Sequence, residues 1–246
     1  SFALFEGDVV ATAAQTFCER RVPGTQRDPA RSALGDVCNL SPRVIAHGGD
    51  MQQLAAVAYL RAAQAQGPTD VSLVNGGGVR TDFPGQDAFA DASFTDIAVD
   101  EVFAALPFRN TLVRLTLTGA QLKTALEDGL DYLVRTPGVT GAYPYAAALR
   151  FEVNLAAPRG ARVSNLQIRN SAGLYLALDP AATLRLVTSA YLAGGGDGYD
   201  MLATLTGAQR QDLPLEEATA LLRYVERHTP LLRPPLGEYS TQAFSE

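Results

Sequence analysis

The stretch LVNGGGVRTD, residues 73–82, places three glycines directly after an apolar run and ends them with an arginine. Glycine lacks a Cβ and adopts positive φ readily, so successive backbone N–H groups in such a turn can form a nest around an anion. Arg80 adds a planar, permanently charged guanidinium that suits phosphate. The pattern is neither a P-loop nor a dinucleotide fingerprint, since its glycine spacing fits neither. The residues alone leave two interpretations open, a phosphate site and a tight structural turn.

A second stretch, YLAGGGDGYD at residues 191–200, has the same form: an apolar run, glycines and then a charged residue. Asp197 is an acceptor suited to a base amino group or to ribose hydroxyls, and it is equally typical of a turn. Tyr191 is expected at the end of the strand that leads into these glycines. Two turns of one form suggest a single ligand approached from two sides.

The stretch LPFRN, residues 106–110, places an aromatic residue directly after a proline. Proline favours an extended conformation in the residue before it, which is typical of a loop edge. Phe108 at such an edge is either a core residue or a platform for a flat ligand, and the residues alone do not decide. Asn110 follows two positions later.

Hydrophobic periodicity predicts helices that alternate with strands. Residues 50–67 are predicted as a helix that Asp50 caps and Gly67 ends, and residues 70–74 as the buried strand before the first glycine turn.

Residues 111–133 are predicted as a strand that runs into a helix, with Thr118 and Gln121 as its capping box. Residues 149–155 alternate strictly, which predicts a half-buried strand. The residues expected to face inward are Leu122, Leu126, Leu130 and Leu133 of the helix and Leu149, Phe151, Val153 and Leu155 of the strand.

Two further elements complete the pattern. Residues 184–192 are predicted as the strand before the second glycine turn, and residues 212–228 as a helix capped by Asp212 and stopped by Pro230. The alternation predicts an α/β (α+β) fold.

Composition narrows the class of protein. The 246 residues are 47% hydrophobic and 19% charged, enough for a substantial core in one large domain or two small lobes. A net charge of −6 with dispersed basic residues argues against nucleic acid and anionic membranes as partners. No apolar run approaches the roughly 20 residues that span a bilayer. The start, SFALFEGDVV, has neither Met nor a signal pattern, so we expect a piece of a longer precursor.

Cys18 and Cys38 are the only cysteines in the sequence. Two cysteines do not suffice for a structural zinc site, and their spacing fits no thioredoxin-like pair. From the residues alone, two buried thiols and a disulfide that closes the polar loop between them both remain open. A disulfide would imply an oxidising compartment.

Four motifs in register carry a resemblance to a known family. They are NGGGVR at 75–80, LPFRNTLVRLTLTG at 106–119, GAYPYA at 141–146 and AGGGDGY at 193–199. In this order and spacing they resemble the C-terminal domain of the 5′-nucleotidases, a family that includes periplasmic UDP-sugar hydrolases and secreted NAD nucleotidases. RVPGTQR, AHGGDMQQL and EYSTQAF are most similar to the NAD nucleotidase branch.

The resemblance implies a layered arrangement of sheets covered by helices and a role for each motif residue. The implied substrate-binding set is Asn75, Gly77, Gly78, Arg80, Phe108, Asn110, Gly141, Tyr191 and Asp197, with Arg21 and Arg27 as further phosphate candidates. Within that set, Arg80 holds the phosphate, Phe108 and Tyr191 stack on the two faces of the base, and Asn110 contacts its edge. The secreted context of the family also implies a Cys18–Cys38 disulfide.

The resemblance further implies what lies outside this chain. Members of the family hydrolyse phosphoesters with two divalent metal ions that an N-terminal metallophosphatase domain holds. Neither His47 nor His228 is expected to be a ligand, because a two-metal centre needs more ligands than two histidines supply. We expect no catalytic residue and no metal site here, and an inactive fragment.

The resulting prediction is the end of an interdomain linker at 1–17 and a substrate-binding domain at 18–246, in a periplasmic or extracellular hydrolase. The expected partners are a nucleotide or nucleoside substrate and the N-terminal domain, without nucleic acid or a membrane span. The alternatives are a stand-alone nucleotide-binding module without catalysis and a structural domain that has lost its ligand.

Overall fold

A computed structural model of the chain describes Phe5 and residues 7–28 and 31–246. The strands are β1 (Val9–Thr12), β2 (Val71–Asn75), β3 (Asp96–Ala98), β4 (Thr111–Thr118), β5 (Pro144–Ala147), β6 (Leu149–Asn154), β7 (Val163–Arg169), β8 (Tyr175–Ala177), β9 (Thr183–Ser189), β10 (Arg210–Glu216) and β11 (Thr241–Ser245). The helices are α1 (Asp36–Asn39), α2 (Pro42–His47), α3 (Asp50–Gln64), α4 (Ala92–Thr95), α5 (Val99–Ala105), α6 (Gly119–Arg135), α7 (Ala190–Ala193), α8 (Asp200–Ala203) and α9 (Glu217–Val225).

The strands form a central five-stranded sheet, a four-stranded sheet and a small two-stranded sheet. Their orders are β10-β4-β9-β2-β5, β11-β6-β7-β8 and β1-β3. Helix α3 packs on the central sheet and on α9, and α6 contacts both larger sheets. The predicted α/β fold of layered sheets covered by helices is confirmed.

The topology of the central sheet brings distant segments to one edge. Strands β2 and β9 are parallel neighbours, so their carboxyl ends, each followed by a glycine turn, lie side by side. Strand β4 is antiparallel to β9, and β5 is antiparallel to β2, so the segments that precede β4 and β5 reach the same edge. Strand β10 ends there as well, because Glu216 pairs with Thr111.

Helix α6 follows its prediction closely. Thr118 Oγ1 accepts a hydrogen bond from the backbone N–H of Gln121 at 3.2 Å, and Gln121 Oε1 accepts one from the N–H of Thr118 at 2.9 Å. The predicted apolar stripe of the helix is buried, as are the inward residues predicted for 149–155. The capping box and both apolar patterns are confirmed.

Asp50 does not cap α3, because Gly49 occupies the N-cap position and Asp50 is the first helical residue. Its buried carboxylate accepts hydrogen bonds from the Arg43 guanidinium at 2.8 and 2.7 Å and from the backbone N–H of Cys18 at 3.1 Å. The helix ends at Gln64, and Gly67 follows in the turn with φ of 140°. The aspartate therefore ties the helix start to neighbouring loops.

The prediction of one helix over 212–228 is wrong at its start and its end. Leu213 and Leu215 are buried and alternate with exposed neighbours, the period of a strand, and they belong to β10. Pro214 is tolerated because β10 is the edge strand of its sheet. The helix α9 begins only at Glu217 and ends at Val225, before Pro230.

The structure contains the Cys18–Cys38 disulfide, with 5.4 Å between the two Cα atoms. Val44 and the two half-cystines form a small buried cluster apart from the main core. The disulfide that the resemblance implies is confirmed.

The predicted linker at 1–17 lies partly outside the described residues, which omit 1–4 and 6. Of the remainder, β1 pairs with β3, and Ala13 and Phe17 are fully buried in the main core. These residues pack as part of the domain, and the boundary between linker and domain stays a prediction.

Candidate functional site

A cavity of about 500 Å³ opens at the edge of the central sheet where the carboxyl ends of β2 and β9 meet. Its lining residues are Arg21, Asn75, Gly77, Gly78, Arg80, Phe108, Asn110, Gly138, Val139, Thr140, Gly141, Tyr191, Asp197 and Glu217. Every sequence-predicted site residue except Arg27 belongs to this set. Segments distant in sequence meet here because the strand order places their ends together.

The first glycine turn forms one 3₁₀ turn, Gly76–Gly78, and its glycines are needed for contacts within the chain. The N–H groups of Gly76 and Gly77 donate to the carbonyls of Tyr143 and Gly141, at 2.8 and 2.9 Å. A Cβ on Gly76 would lie 2.4 Å from the Arg21 carbonyl oxygen, and one on Gly77 would lie 2.9 Å from the Gly141 Cα. Of the two interpretations left open by the sequence, these two amides fit the structural turn, because both already have protein acceptors.

Two guanidinium groups, those of Arg21 and Arg80, line the cavity. Arg80 is exposed, and its Cζ lies 4.9 Å from the centroid of the Phe108 ring, a cation–π contact. Neither guanidinium donates a hydrogen bond to any of the described residues. Burial, followed by the charges of Arg31 and Arg80, lowers the pKa of Arg21. The cavity therefore contains two guanidinium groups whose hydrogen-bond donors have no protein acceptor.

Glu19 forms an ion pair with Arg21 and partly balances the charge of its guanidinium. Its Oε1 is 3.4 Å from Arg21 Nε, and its side chain is 5% exposed. The two atoms form no hydrogen bond, and neither has another hydrogen-bond partner among the described residues. Desolvation raises the pKa of Glu19 to about 7, against the smaller opposing effect of Arg21. Near neutral pH this carboxyl is consequently only a partial counter-charge to Arg21.

The aromatic side chains of Phe108 and Tyr191 are 50% and 46% exposed, so neither is a core residue. Phe108 lies in the turn after α5, and Arg109 next to it adopts a left-handed conformation with φ of 54°. Tyr191 lies in α7 and not at the end of a strand as predicted, because Ser189 caps this short helix by accepting from the N–H of Leu192 at 3.2 Å. Both rings line the same cavity with an open surface.

Asp197 connects the two glycine turns. Its Oδ2 accepts a hydrogen bond from Asn75 Nδ2 at 2.7 Å, and its Oδ1 accepts one from the Tyr191 hydroxyl at 2.8 Å. Desolvation, followed by the hydrogen bond to Asp197, raises the pKa of Tyr191 to about 12. A Cβ on Gly141 would lie 3.4 Å from Asp197 Oδ2. Gly141 and the Asp197 carboxylate therefore lie next to each other in the cavity wall.

Glu217 is a site residue that the sequence did not reveal. It is 2% exposed, lines the cavity and contacts the Asn110 side chain, with Nδ2 to Oε1 at 3.2 Å. Desolvation raises the pKa of its carboxyl to about 7. Recognition of β10 as a strand would have placed Glu217 at the first turn of a helix that starts at the cavity edge.

Arg27 lies outside the cavity. Its Nη1 donates a hydrogen bond to the carbonyl oxygen of Leu133 at 3.1 Å. Arg31 is the additional cation whose charge acts on Arg21, and its own Nε contacts Asp28 Oδ1 at 2.7 Å. The structure thus brings Arg21 to the cavity and leaves Arg27 on another surface.

Both histidines bond to backbone carbonyls. His47, the last residue of α2, has its Nδ1 2.8 Å from the Thr241 oxygen, and His228 has its Nδ1 2.7 Å from the Tyr224 oxygen. Within residues 5, 7–28 and 31–246 there is no group of three or more His, Cys, Asp or Glu that could hold a metal ion. These residues therefore do not fit a two-metal centre.

A larger cavity, of about 590 Å³, lies elsewhere in the molecule and contains none of the predicted site residues. Four of its five charged side chains form ion pairs, Arg185 with Asp70 at 3.1 Å and Arg169 with Glu238 at 3.4 Å, and the fifth, Arg61, donates a hydrogen bond to Gln64 at 3.3 Å. Among the described residues there is also no helix long and apolar enough to cross a membrane.

The fold and the cavity define an α/β domain whose cavity is lined by two arginines and two half-exposed aromatic rings. A family model described as the C-terminal domain of 5′-nucleotidase matches residues 34–204, and the chain belongs to this family. The family that the sequence motifs indicated is confirmed.

Named relatives agree with this assignment. A probable 5′-nucleotidase of Treponema pallidum is 33% identical over 165 residues, 66% of this chain and 26% of the relative. The NAD 5′-nucleotidase of Haemophilus influenzae is 31% identical over 165 residues, 65% of this chain and 26% of the relative. The chain spans about a quarter of the length of these curated relatives.

A solved structure supports the fold along nearly the whole chain. The 5′-nucleotidase precursor from Thermus thermophilus superposes with a TM-score of 0.73 at 26% identity. The match covers 96% of this chain and 39% of that structure.

Proposed function

We propose that this chain is the nucleotide-binding and specificity domain of a 5′-nucleotidase-type hydrolase. The observation that carries the proposal is one cavity that combines two guanidiniums without protein acceptors and two half-exposed aromatic rings. A nucleotide has the matching parts, an anionic phosphate at one end and a flat base at the other. Membership of the 5′-nucleotidase family supports the same ligand class.

The cavity divides between the parts of such a ligand. The phosphate contacts Arg21 and Arg80, because charged hydrogen bonds to phosphate are the strongest that these donors make. The base stacks on Phe108 and Tyr191, whose exposed ring surfaces are costly to leave in water. Asp197, reached past Gly141, accepts hydrogen bonds from ribose hydroxyls, and Asn110 contacts the edge of the base.

Binding in this cavity contributes orientation and specificity to the reaction. Fixing the nucleotide at its base, ribose and phosphate lowers the entropy lost when the reacting groups meet. Two divalent metal ions, held by an N-terminal metallophosphatase domain, supply activated water and charge neutralisation for phosphoester or pyrophosphate hydrolysis. Since the described residues do not fit those ions, we assign the ions to that other domain and no catalytic residue to this chain.

We place the full protein in the periplasm or outside the cell. The Cys18–Cys38 disulfide supports this location, because structural disulfides persist in oxidising compartments.

Calorimetric titration of the 246-residue chain with AMP, adenosine, NAD and UDP-glucose tests the proposal. We expect saturable binding of at least one nucleotide with one site per chain, and weaker binding of adenosine because it lacks phosphate. Absence of binding by all four ligands to folded protein would refute the proposed function.

A further inference from the structure

Asn110 lines the cavity, and the buried carboxylate of Glu217 accepts from its side-chain amide. Asn110 Nδ2 lies 3.2 Å from Oε1 and 3.4 Å from Oε2 of Glu217. The backbones are joined too, since the N–H of Glu217 donates to the Asn110 carbonyl at 3.0 Å and the N–H of Asn110 points at Glu217 Oε1 at 3.4 Å. The two residues therefore form one local unit across the ends of β4 and β10.

The Glu217 carboxylate is held on its other side by a buried tyrosine. The Tyr59 hydroxyl donates to Glu217 Oε2 at 3.0 Å, and Tyr59 is 1% exposed on α3. With Glu217 at 2% exposure, both side chains of this hydrogen bond are buried. Glu217 is thus presented to Asn110 in one position by the core of the domain.

An ionised carboxylate accepts hydrogen bonds and donates none, so only the amide nitrogen of Asn110 can face it. The amide oxygen, Oδ1, must then point the other way. Asn110 Oδ1 accepts no hydrogen bond from any of the described residues, although Asn110 lines the cavity. Asn110 Oδ1 is therefore an acceptor that a ligand can use.

We propose that Glu217 is a positioning residue that fixes the Asn110 amide with its oxygen towards the base, so that the domain prefers nucleotides whose base carries an exocyclic amino group. The proposal rests on the proposed function and deepens it. An amino group of adenine or cytosine donates to Asn110 Oδ1. A keto oxygen at the same place, as in hypoxanthine or uracil, sets two acceptors against each other, which is a penalty and not only a lost contact.

The experiment is a set of calorimetric titrations of the whole chain with AMP, IMP, CMP and UMP. Burial raises the pKa of Glu217 to about 7, so the titrations are run at about pH 8, where the carboxyl is ionised. We expect AMP to bind about tenfold more tightly than IMP, and CMP about tenfold more tightly than UMP, the factor that corresponds to roughly one neutral hydrogen bond.

Two variants of Glu217 separate positioning from folding. In Glu217→Ala the amide of Asn110 can turn over, so the preference for amino bases should fall to near unity. Glu217→Gln should restore it, because its Oε1 still accepts from Asn110 while its Nε2 donates to Tyr59. Asn110→Ala should abolish the preference as well, and it serves as the decisive variant if thermal denaturation shows that Glu217→Ala is unfolded.

Each outcome decides one point. Nucleotides that bind without any amino-over-keto preference would overturn this inference and leave the proposed function standing. A preference that survives in Glu217→Ala or Asn110→Ala would overturn it too, because Glu217 would then only stabilise the fold. Failure of all nucleotides to bind the folded chain would instead remove the proposed function, on which the inference depends.

Discussion

Asn75 donates a hydrogen bond of 2.7 Å to Asp197 across 122 residues of sequence, and this contact joins the two glycine turns of the cavity. Asn75 ends β2, and Asp197 lies in the turn that follows α7 beyond the neighbouring parallel strand β9. The same carboxylate accepts from the Tyr191 hydroxyl. One aspartate therefore ties together cavity residues from both glycine-rich segments.

Replacement of Asp197 should affect both stability and ligand binding. Asp197→Ala leaves Asn75 Nδ2 and the Tyr191 hydroxyl without their acceptor, and it puts alanine at a φ of 53°. We expect a loss of about 1–3 kcal/mol in the free energy of unfolding, measured with denaturant, and weaker adenosine binding. Asp197→Asn tolerates this φ and is the matched control for the backbone effect, so it should be less destabilised. Equal stability of the alanine variant and the wild type would contradict the conclusion that Asp197 holds the two glycine-rich segments together.

Alanine variants of two arginines distinguish phosphate binding from a structural role. Arg80→Ala should weaken AMP binding by about 1.5–3 kcal/mol, the value of a charged hydrogen bond, and should leave adenosine affinity unchanged. Arg27→Ala is the control, because Arg27 lies outside the cavity and bonds to the Leu133 carbonyl. Calorimetry with both ligands measures the difference. Equal losses for AMP and adenosine in Arg80→Ala would show that Arg80 holds the fold and not the phosphate.

Some residues of this site can be predicted from the sequence, because their structural requirement restricts the residue type, and others cannot. Gly76 and Gly77 could be found because close backbone contacts exclude any Cβ, and that requirement is visible as glycine. Phe108 could be located but not interpreted, since only its exposure in the structure separates a platform from a core residue. The sequence left two interpretations of the first glycine turn open, and in the structure the amides of Gly76 and Gly77 donate to acceptors within the chain.

Helix α6 shows where local rules suffice, and β10 shows where they do not. In α6 the capping box, the apolar stripe and the helix period all agree. In 212–216 the alternation of a short edge strand is indistinguishable from the first turn of the following helix without knowledge that β4 lies alongside. Glu217 was missed because its position at the cavity depends on that pairing.

The buried carboxyl of Glu19 predicts a dependence of stability on pH. Burial raises its pKa in the folded protein to about 7, above the ordinary value of 4.5. Between these two values the folded state binds more protons than the unfolded state, so this group's contribution to the free energy of unfolding falls as the pH rises from 4.5 to about 7.

Glu19→Gln should remove this contribution. Relative to the wild type, the variant should gain stability progressively across that pH window, by about 1–3 kcal/mol in total. Denaturant unfolding of both proteins at about pH 5 and about pH 8 measures the gain. A difference that does not depend on pH would mean that Glu19 titrates normally in the folded protein.

Added metal should not make this chain a phosphatase. The described residues have no group of three or more potential metal ligands, so we expect no release of phosphate from AMP with Mn²⁺, Co²⁺ or Zn²⁺. A phosphate-release assay on fractions across a size-exclusion peak checks this result. Metal-dependent activity that follows the peak, and is unchanged on a second column, would contradict the assignment of catalysis to another domain.

The two aromatic rings give the most direct measure of base binding. Phe108→Ala and Tyr191→Ala should each weaken adenosine binding by about 1–3 kcal/mol, the range for stacking of a base on an aromatic side chain. Because the proposed function places both rings on one flat ligand, the two losses should be coupled in a double-mutant cycle. Phe108→Ala also removes the ring beneath Arg80, so its loss for AMP should exceed its loss for adenosine.

Tyr191→Phe is the control that separates the ring from the hydroxyl. It keeps the stacking surface, so adenosine affinity should change little. It also removes the hydrogen bond to Asp197 Oδ1, so the free energy of unfolding should fall by about 1 kcal/mol. Melting temperatures are measured for each variant beside the affinities. Unchanged adenosine affinity in both alanine variants, with lowered melting temperatures, would assign the two rings to stability and leave the arginines as the ligand-binding part of the cavity.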